Sequence, residues 1–597
     1  MMQIDNIFGS QTDEAERVVY QRAARSGVNH CHQLAPADPR PGEPLTVTLS
    51  TGGPLPYDAA RCWWRAERSD GQVDEGILDL QLATTTWEPL AWGYARDWRG
   101  QLPAQPAGTM LRYRLAARVT GSDRWAYADG VERDEAHATA FAVWVADDPA
   151  PDWARAAVVY HIFVDRFDPG TGRAWRHPER LDGFFGGTLR GVIERLDDIQ
   201  GLGFTAIWLS PVFASPSHHG YDATDLYTVE PRLGSNADLL ELFAAAHARD
   251  MRVILDFVAN HWSSQHPTFV AARADEASEF HHWYTWECWP DQYACYFGVR
   301  ELPELNLAHP PARAHMLAAA AHWLRAGADG MRLDYAYGPP HAFWAEFRRA
   351  CREARPECWL FGEVIRQPDF LRTYAAHMDG VLDVPLAQAL RETFARRTWD
   401  LARFEAFLAG HETFFPVGFL RSSFLDNHDM NRFLYMARGD VALLHLAALV
   451  LFTLAGPPIV YYGTEAGVSQ ERPIHGENGF GIFEEARQPM RWGDAQDAAL
   501  REFFRRLVAL RRAHPALIDG PRWVLHLDAA AGTYAYVRDG AVPVVVVINL
   551  GDAPAELVLP RAGLPAAAAD LLGGHPLSVD GETLTAVLSA RGGALIA

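Results

Sequence analysis

The chain has 597 residues, a formal charge of −21, and 49% hydrophobic, 22% charged and 12% aromatic residues. That length exceeds what one hydrophobic core organises, so roughly two to four domains are expected. The charge argues against nucleic acid or an anionic membrane as partner, and no stretch approaches the roughly 18 uninterrupted apolar residues of a membrane helix.

All 54 basic residues are arginine; the chain contains no lysine. Schiff-base chemistry on a lysine, a phosphate-loop lysine and a lysine general base are therefore excluded. Reactivity must come from carboxylates, histidines or hydroxyls. Six cysteines are few for this length and form no disulfide framework by spacing. Cys288 and Cys295 follow His281 and His282, but their spacing fits no common zinc knuckle, so no metal is expected. The opening "MMQIDNIFGSQTDEAERVVYQRAARSG" lacks the basic-then-apolar layout of a signal peptide, and a cytoplasmic protein is expected.

Residues 1–150 alternate as strands, in "LTVTL" and "LRYRLAARV", with joints such as "TGGPLP", and predict a β-sandwich. Trp63, Trp64, Trp87, Trp92, Trp98 and Trp125 fall in this unit. They could form a sugar-stacking platform, although sandwich core is the commoner use of such residues. From about 155 the pattern becomes apolar strands separated by helices. The strand candidates lie at 157–167, 206–213, 253–261, 330–336, 359–365, 380–386, 422–429 and 457–467. Helix signals include Thr188 before Val192, Ile193, Leu196 and Ile199, closed by Gly201 or Gly203. A Ser235-x-x-Asp238 capping pattern and a proline-led segment ending at Gly327 give two more. Eight strand–helix alternations over 151–515 predict a (β/α)8 barrel. An aromatic-rich stretch at 262–310 is too long for a simple connection and is expected to be an inserted subdomain after the third strand. Residues 516–597 return to β signals and predict a C-terminal β-domain.

In a (β/α)8 barrel, functional groups cluster where strands end. The third, fourth, fifth and seventh strand ends carry Asp256/Asn260/His261, Arg332/Asp334, Glu363 and His428/Asp429. Asp334 and Glu363 on neighbouring strands are a carboxylate pair suited to glycoside hydrolysis. Arg332, two residues before Asp334 on the same strand side, is expected to keep that carboxylate ionised and nucleophilic. Glu363, in the apolar setting "WLFGEVI", is expected to keep its proton and act as general acid.

The blocks "DFVANH" (256–261), "GMRLDYA" (330–336), "GEV" (362–364) and "FLDNHD" (424–429) occur in that order. They are supported by "FFGGTLRGVIERLDDIQGLGFTAIWLSPVF", "SPSHHGYDATDLY", "LPELN" and "YYGTEAG". The ordered set resembles the α-amylase superfamily, and within it the cyclomaltodextrinase/neopullulanase/maltogenic amylase branch. The resemblance implies a retaining glycosidase with Asp334 as nucleophile, Glu363 as acid/base and Asp429 gripping the sugar's 2- and 3-hydroxyls. It implies that His261 and His428 bind the same glucose, that Arg332 orients Asp334, and that Tyr221 stacks beneath the ring. Asp256 and Asn260 are read as supporting the third strand's end. Three departures stand out, the first being that "LPELN" stands where cyclomaltodextrinase-type sequences usually carry a lysine-containing version. Tyr337 and Gly338 occupy the leaving-group side, where amylases often carry lysine; Tyr337 is read as an acceptor-stacking residue or as packing. The segment "DRFDPGTGRAWRHPERLDG" lacks the asparagine–aspartate cluster that binds calcium in many relatives, which counts against a structural calcium; no cofactor is expected.

The expected substrates are short or cyclic α-1,4-linked glucans, with α-1,6 linkages as an extension. An α-glucosidase, a transglycosylase or a hydrolase of cyclic maltosyl oligosaccharides would use the same machinery. A catalytically dead glycan-binding barrel is disfavoured because all three acids are present. In the resembled branch the N-terminal sandwich pairs with a second subunit, so a homodimer is expected; sedimentation at increasing concentration should show a two-chain mass, and a concentration-independent monomer would remove the dimer.

Overall fold

The computed structural model describes residues 14–130, 133–475, 482–565 and 567–597. Eight parallel strands close into a barrel: Val159–Ile162, Ala206–Leu209, Arg252–Val258, Gly330–Asp334, Trp359–Gly362, Gly380–Leu382, Leu420–Phe424 and Pro458–Tyr461, the last pairing with the first. All eight predicted strands are present, but each is shorter than the apolar run that announced it. Asn260, His261, Glu363, His428 and Asp429 lie just past the ladder, in the loops that follow.

Period-two alternation sorts each strand's side chains into two cores. Tyr160, Ile207, Leu209, Val253, Leu255, Met331, Leu333 and Leu360 pack outward against the helices. Val159, Trp208, Ile254, Trp359, Phe361 and Ile459 fill the barrel interior. Arg332 therefore points inward, between Met331 and Leu333 that point outward. Strand contact also dictates glycine. A Cβ on Gly330 would stand 2.4 Å from the Trp359 carbonyl oxygen, and one on Gly380 2.0 Å from that of Leu420.

The helix signals hold with one change. Ser235 and Asp238 form a reciprocal capping box at the start of Asn236–His247. Pro310–Ala326 ends at Gly327, whose φ of 132° suits glycine. The helix after Thr188 breaks at Arg195 into Leu189–Glu194 and Leu196–Gly201. The inserted stretch contains the helix Pro267–Ala274 and a small hairpin, Trp286–Cys288 with Gln292–Tyr293. Its Trp262 and Trp283 are buried in the main core.

Before the barrel, nine strands form one sheet network. The long strand Val73–Glu88 pairs with Tyr57–Arg68 along its first half and with Gly93–Leu102 along its second, which folds the sheet over a core of Val47, Leu49, Leu115 and Phe141. The six tryptophans do not make one platform. Trp98 is core, whereas Trp87 and Trp92 stand 48% and 79% exposed beside Tyr94. After the barrel, a four-stranded and a three-stranded sheet enclose a separate core that includes Val545, Val547 and Leu584. All six cysteines are free. Among the described residues no helix is long and apolar enough to cross a membrane, and no group of three or more His, Cys, Asp or Glu side chains is placed to hold a metal ion.

Candidate active site

The barrel mouth is organised by one fully buried arginine. Arg332 Nη1 donates to Asp256 Oδ1 at 2.7 Å and to Asp334 Oδ1 at 2.8 Å, while Nη2 makes an ion contact with Glu363 Oε1 at 2.6 Å. The register explains the meeting: Arg332 lies beside Asp256 on the third strand and Phe361 on the fifth. Strand alternation puts Asp334 on the same side, and Glu363 begins the next loop. Its backbone carbonyl accepts from the Ala336 N–H at 2.9 Å, tying the two strand ends together. The indole N–H of Trp208 and the hydroxyl of Tyr221 both donate to Asp256 Oδ2, at 3.2 and 3.1 Å.

Arg332 does pull the Asp334 pKa down, as expected of it, but burial outweighs that pull. The guanidinium is divided among three carboxyl groups, so its charge cannot hold all of them ionised. Burial, opposed by Arg332 and reinforced by Asp256 and Asp429, pushes Asp334 up to about 7. Burial, opposed by Arg332 and reinforced by Asp334 and Asp429, brings Glu363 to about 7 as well. Asp256 moves up to about 6, again chiefly through burial. The cluster therefore retains a proton near neutral pH. Both candidate carboxyl groups are raised alike, so these shifts alone do not divide the roles of acid and nucleophile between Glu363 and Asp334.

Asp429 has a different environment. Burial pushes it up, but His428 and Arg487 overcome this and hold it well below the usual carboxylate range. Arg487 Nη2 donates to Asp429 Oδ1 at 2.7 Å, and its Nε donates to the His428 carbonyl at 2.9 Å. His428 Nε2 lies 3.0 Å from Asp429 Oδ2 and 2.5 Å from the Tyr221 hydroxyl. Burial lowers the His428 pKa, opposed by Asp429, and Asp429 is held down by His428 first and by Arg487 after it. The Tyr221 ring stacks parallel to His428 at 5.3 Å.

Asp256, Tyr221, Arg332, Asp334, Glu363, His428 and Asp429 thus form one contiguous network. His261 and Asn260 flank it from the third strand's loop. Burial takes His261 down to about 3, leaving it a neutral hydrogen-bonding group, and its ring lies 4.4 Å from Tyr296 in the inserted stretch. Asn260 Nδ2 donates to Glu304 of "LPELN" at 3.3 Å. Gly338 is explained by the same asparagine, because a Cβ there would stand 2.1 Å from Asn260 Oδ1. Tyr337 is separate from the acid cluster. It is 37% exposed, with Arg366 over one face at 4.0 Å and Phe370 at 5.3 Å.

Sequence reasoning missed Arg487, His161 and Tyr296. His161 stacks on Trp208 at 3.6 Å and meets His428 edge-on at 5.2 Å; its inward position on the first strand was a readable signal. Arg487 carried none, since it reaches Asp429 from a long connection with no periodicity.

The chain matches the family model "Alpha amylase, catalytic domain" over residues 161–503. It is 39% identical over 373 residues to "Alpha-amylase 2" of Dictyoglomus thermophilum, covering 62% of this chain and 66% of that protein. With "Cyclomaltodextrinase" of Geobacillus thermopakistaniensis it shares 31% identity over 521 residues, 83% of this chain and 87% of the relative. Among solved structures, the cyclic alpha-maltosyl-(1-->6)-maltose hydrolase of Arthrobacter globiformis aligns with TM-score 0.65 at 30% identity, over 75% of this chain and 99% of that one. A structure titled "Cyclomaltodextrinase" aligns with TM-score 0.69 at 25% identity, over 96% of this chain and 99% of that chain. With its closed barrel and the matched catalytic domain, this chain belongs to the alpha-amylase family and is a glycosidase.

Proposed function

We propose that the enzyme hydrolyses α-1,4, and additionally α-1,6, glucosidic bonds in short or cyclic maltooligosaccharides with retention of configuration. The observation that carries this reading is the pair of carboxyl groups, Asp334 and Glu363, on the two arms of one buried guanidinium. Sharing a single arginine favours the short carboxyl spacing, about 5 Å, at which a covalent glycosyl-enzyme intermediate forms, over the wider gap that admits a water.

In the first step Asp334 attacks the anomeric carbon while Glu363 gives its proton to the glycosidic oxygen. The carbon–oxygen bond breaks, and the leaving sugar departs with a new hydroxyl. In the second step the Glu363 carboxylate takes a proton from water, the oxygen attacks the anomeric carbon, and Asp334 is released. A sugar hydroxyl in place of water gives transglycosylation. Asp429, kept ionised by His428 and Arg487, accepts from sugar hydroxyls whose hydrogen bonds strengthen as the ring flattens. The neutral His261 and His428 hold the same sugar, and Tyr221, fixed through its hydroxyl, presents its ring.

A structural calcium does not fit the segment after the first barrel strand. Asp165 already accepts from Arg166 Nε at 2.9 Å and from the Phe185 and Gly186 N–H groups at 3.0 Å. Asp168 accepts from Arg195 Nε at 2.6 Å and the Gly170 N–H at 2.7 Å. Dialysis against EDTA is expected to leave kcat and Tm unchanged; a loss reversed by Ca²⁺ would contradict this.

The product profile from maltotriose, pullulan and β-cyclodextrin tests the substrate class. Ring opening of β-cyclodextrin and release of panose from pullulan are expected, and inertness toward all three would refute the reading. Asp334→Asn and Glu363→Gln should each lower kcat about 10³-fold or more while sugar binding stays measurable. For wild type, kcat should fall as pH rises past about 7, because Glu363 is raised from 4.5 to that value and loses its required proton there. Glu363→Gln should lose this alkaline limb on substrates whose leaving group needs no protonation. A wild-type-like profile in that variant would assign the acid elsewhere.

A further inference from the structure

Four histidines outside the acid cluster meet where the N-terminal unit packs on the barrel. His30 and His32 come from the N-terminal unit, His341 and His377 from the barrel side. His30, His341 and His377 are buried, and His32 is half-buried. The His32 ring lies flat on that of His341, with centroids 3.5 Å apart and planes at 19°. His377 meets His341 edge-on at 4.9 Å and His32 at 6.1 Å, and His30 lies 6.1 Å from His32. Phe141 of the N-terminal unit and Tyr374 of the barrel close the cluster, 4.7 Å from His30 and 4.2 Å from His341.

Hydrogen bonds fix the rings in place. His30 Nδ1 faces the Thr48 carbonyl at 2.7 Å and its Nε2 the Tyr113 hydroxyl at 2.9 Å. His341 Nε2 lies 2.8 Å from Thr373 Oγ1. His377 bridges the two units, with Nδ1 3.1 Å from the Thr373 carbonyl and Nε2 3.0 Å from the Ala142 carbonyl. The surroundings disfavour charge on these rings. Burial, followed by the neighbouring imidazoles, holds His32 and His341 well below the ordinary imidazole value. Burial also lowers His30, opposed by Asp129, whose carboxylate accepts from the His30 backbone N–H. Burial takes His377 down to about 4 against its two carbonyl partners, and Arg348 adds to the fall. Burial raises the Tyr113 and Tyr374 hydroxyls and pushes the Cys31 thiol up to about 12, so these neighbours are neutral. It also raises Asp38 and Asp148 beside Arg348, a shift of opposite sign that favours packing as pH falls.

A proton on either stacked ring would set a charge 3.5 Å from a second imidazole, where charge removed from water without a counter-ion is costly. We propose that the seat of the N-terminal unit on the barrel is a pH-sensitive switch, in which the four imidazoles pack while uncharged and acidification frees the unit. Away from the seat each histidine titrates near 6.5; packed, it stays neutral. Docking is therefore fully stabilised above that value and is lost as pH falls below it. The switch bears on the candidate site, because the helix His341–Ala354 follows directly on the loop 335–340 that leaves Asp334. Gly338 in that loop packs against Asn260, so freeing the unit loosens the support behind the acid cluster.

The test is an acid titration of the full-length protein from about pH 7.5 downward, following the radius of gyration by small-angle scattering and secondary structure by circular dichroism. The wild type is expected to expand reversibly below about pH 6.5 while its circular dichroism holds. Docking should weaken about 100-fold per pH unit, roughly tenfold for each of two or more histidines. His32→Phe keeps a ring on His341 but takes no proton, and His377→Gln carries an amide that can donate to the same two carbonyls. Each variant should move the expansion to lower pH and cut its steepness by about tenfold per pH unit. A wild type that stays compact until its secondary structure melts overturns the proposal, and so does a folded variant that expands at the wild-type pH with the wild-type steepness. If neither variant folds, the wild-type comparison of the two signals decides.

Discussion

The candidate site depends on a shortage of positive charge. Arg332 is wholly buried and touches three acids, and one cation cannot neutralise three anions taken out of water. Burying such a cluster costs several kcal/mol per ion before contacts repay it, and an apolar filling of similar volume would be the more stable choice. The remaining deficit is met by a proton. Asp429 escapes this competition because it has its own partners, His428 and Arg487. The division of two arginines among four acids thus decides which carboxyl groups hold hydrogen and which stay charged at neutral pH.

That division requires the barrel. Inward alternation brings Trp208, Asp256 and Arg332 to one interior layer, and the guanidinium lies 5.2 Å above the Trp208 ring. The ladder stops just before the reacting groups. A residue within the ladder has its direction dictated by the pleat, whereas Glu363, His428 and Asp429, one or a few positions beyond, can turn toward a common point. The eight strands provide the fixed frame and the loops provide the aim.

The other units extend this frame. The inserted stretch contributes Tyr296 beside His261 and Glu304 beside Asn260. The N-terminal unit is locked to the barrel by Arg112–Glu346 at 3.0 Å, Arg348–Asp148 at 3.0 Å and the His32–His341 stack. The resulting cleft is built from chain segments hundreds of residues apart, so its length and lining belong to the assembled molecule and to no single motif.

What was legible in the sequence follows from local physics. Apolar runs bounded by caps, prolines and glycines identified all eight barrel strands, and the acids at their ends stood out because charge there serves no core. Gly338 was visible as a departure, yet its cause, the close approach of Asn260, was not. The sharing of Arg332, the rescue of Asp429 by Arg487 and the separation of the six tryptophans were likewise hidden. By itself the sequence determined the alternation of strands and helices, the absence of lysine chemistry and the identity of the acids, since these depend on neighbours along the chain. Only the tertiary structure decided which acid meets which arginine, because charge acts through space over a few ångströms and the sequence records only separation along the backbone.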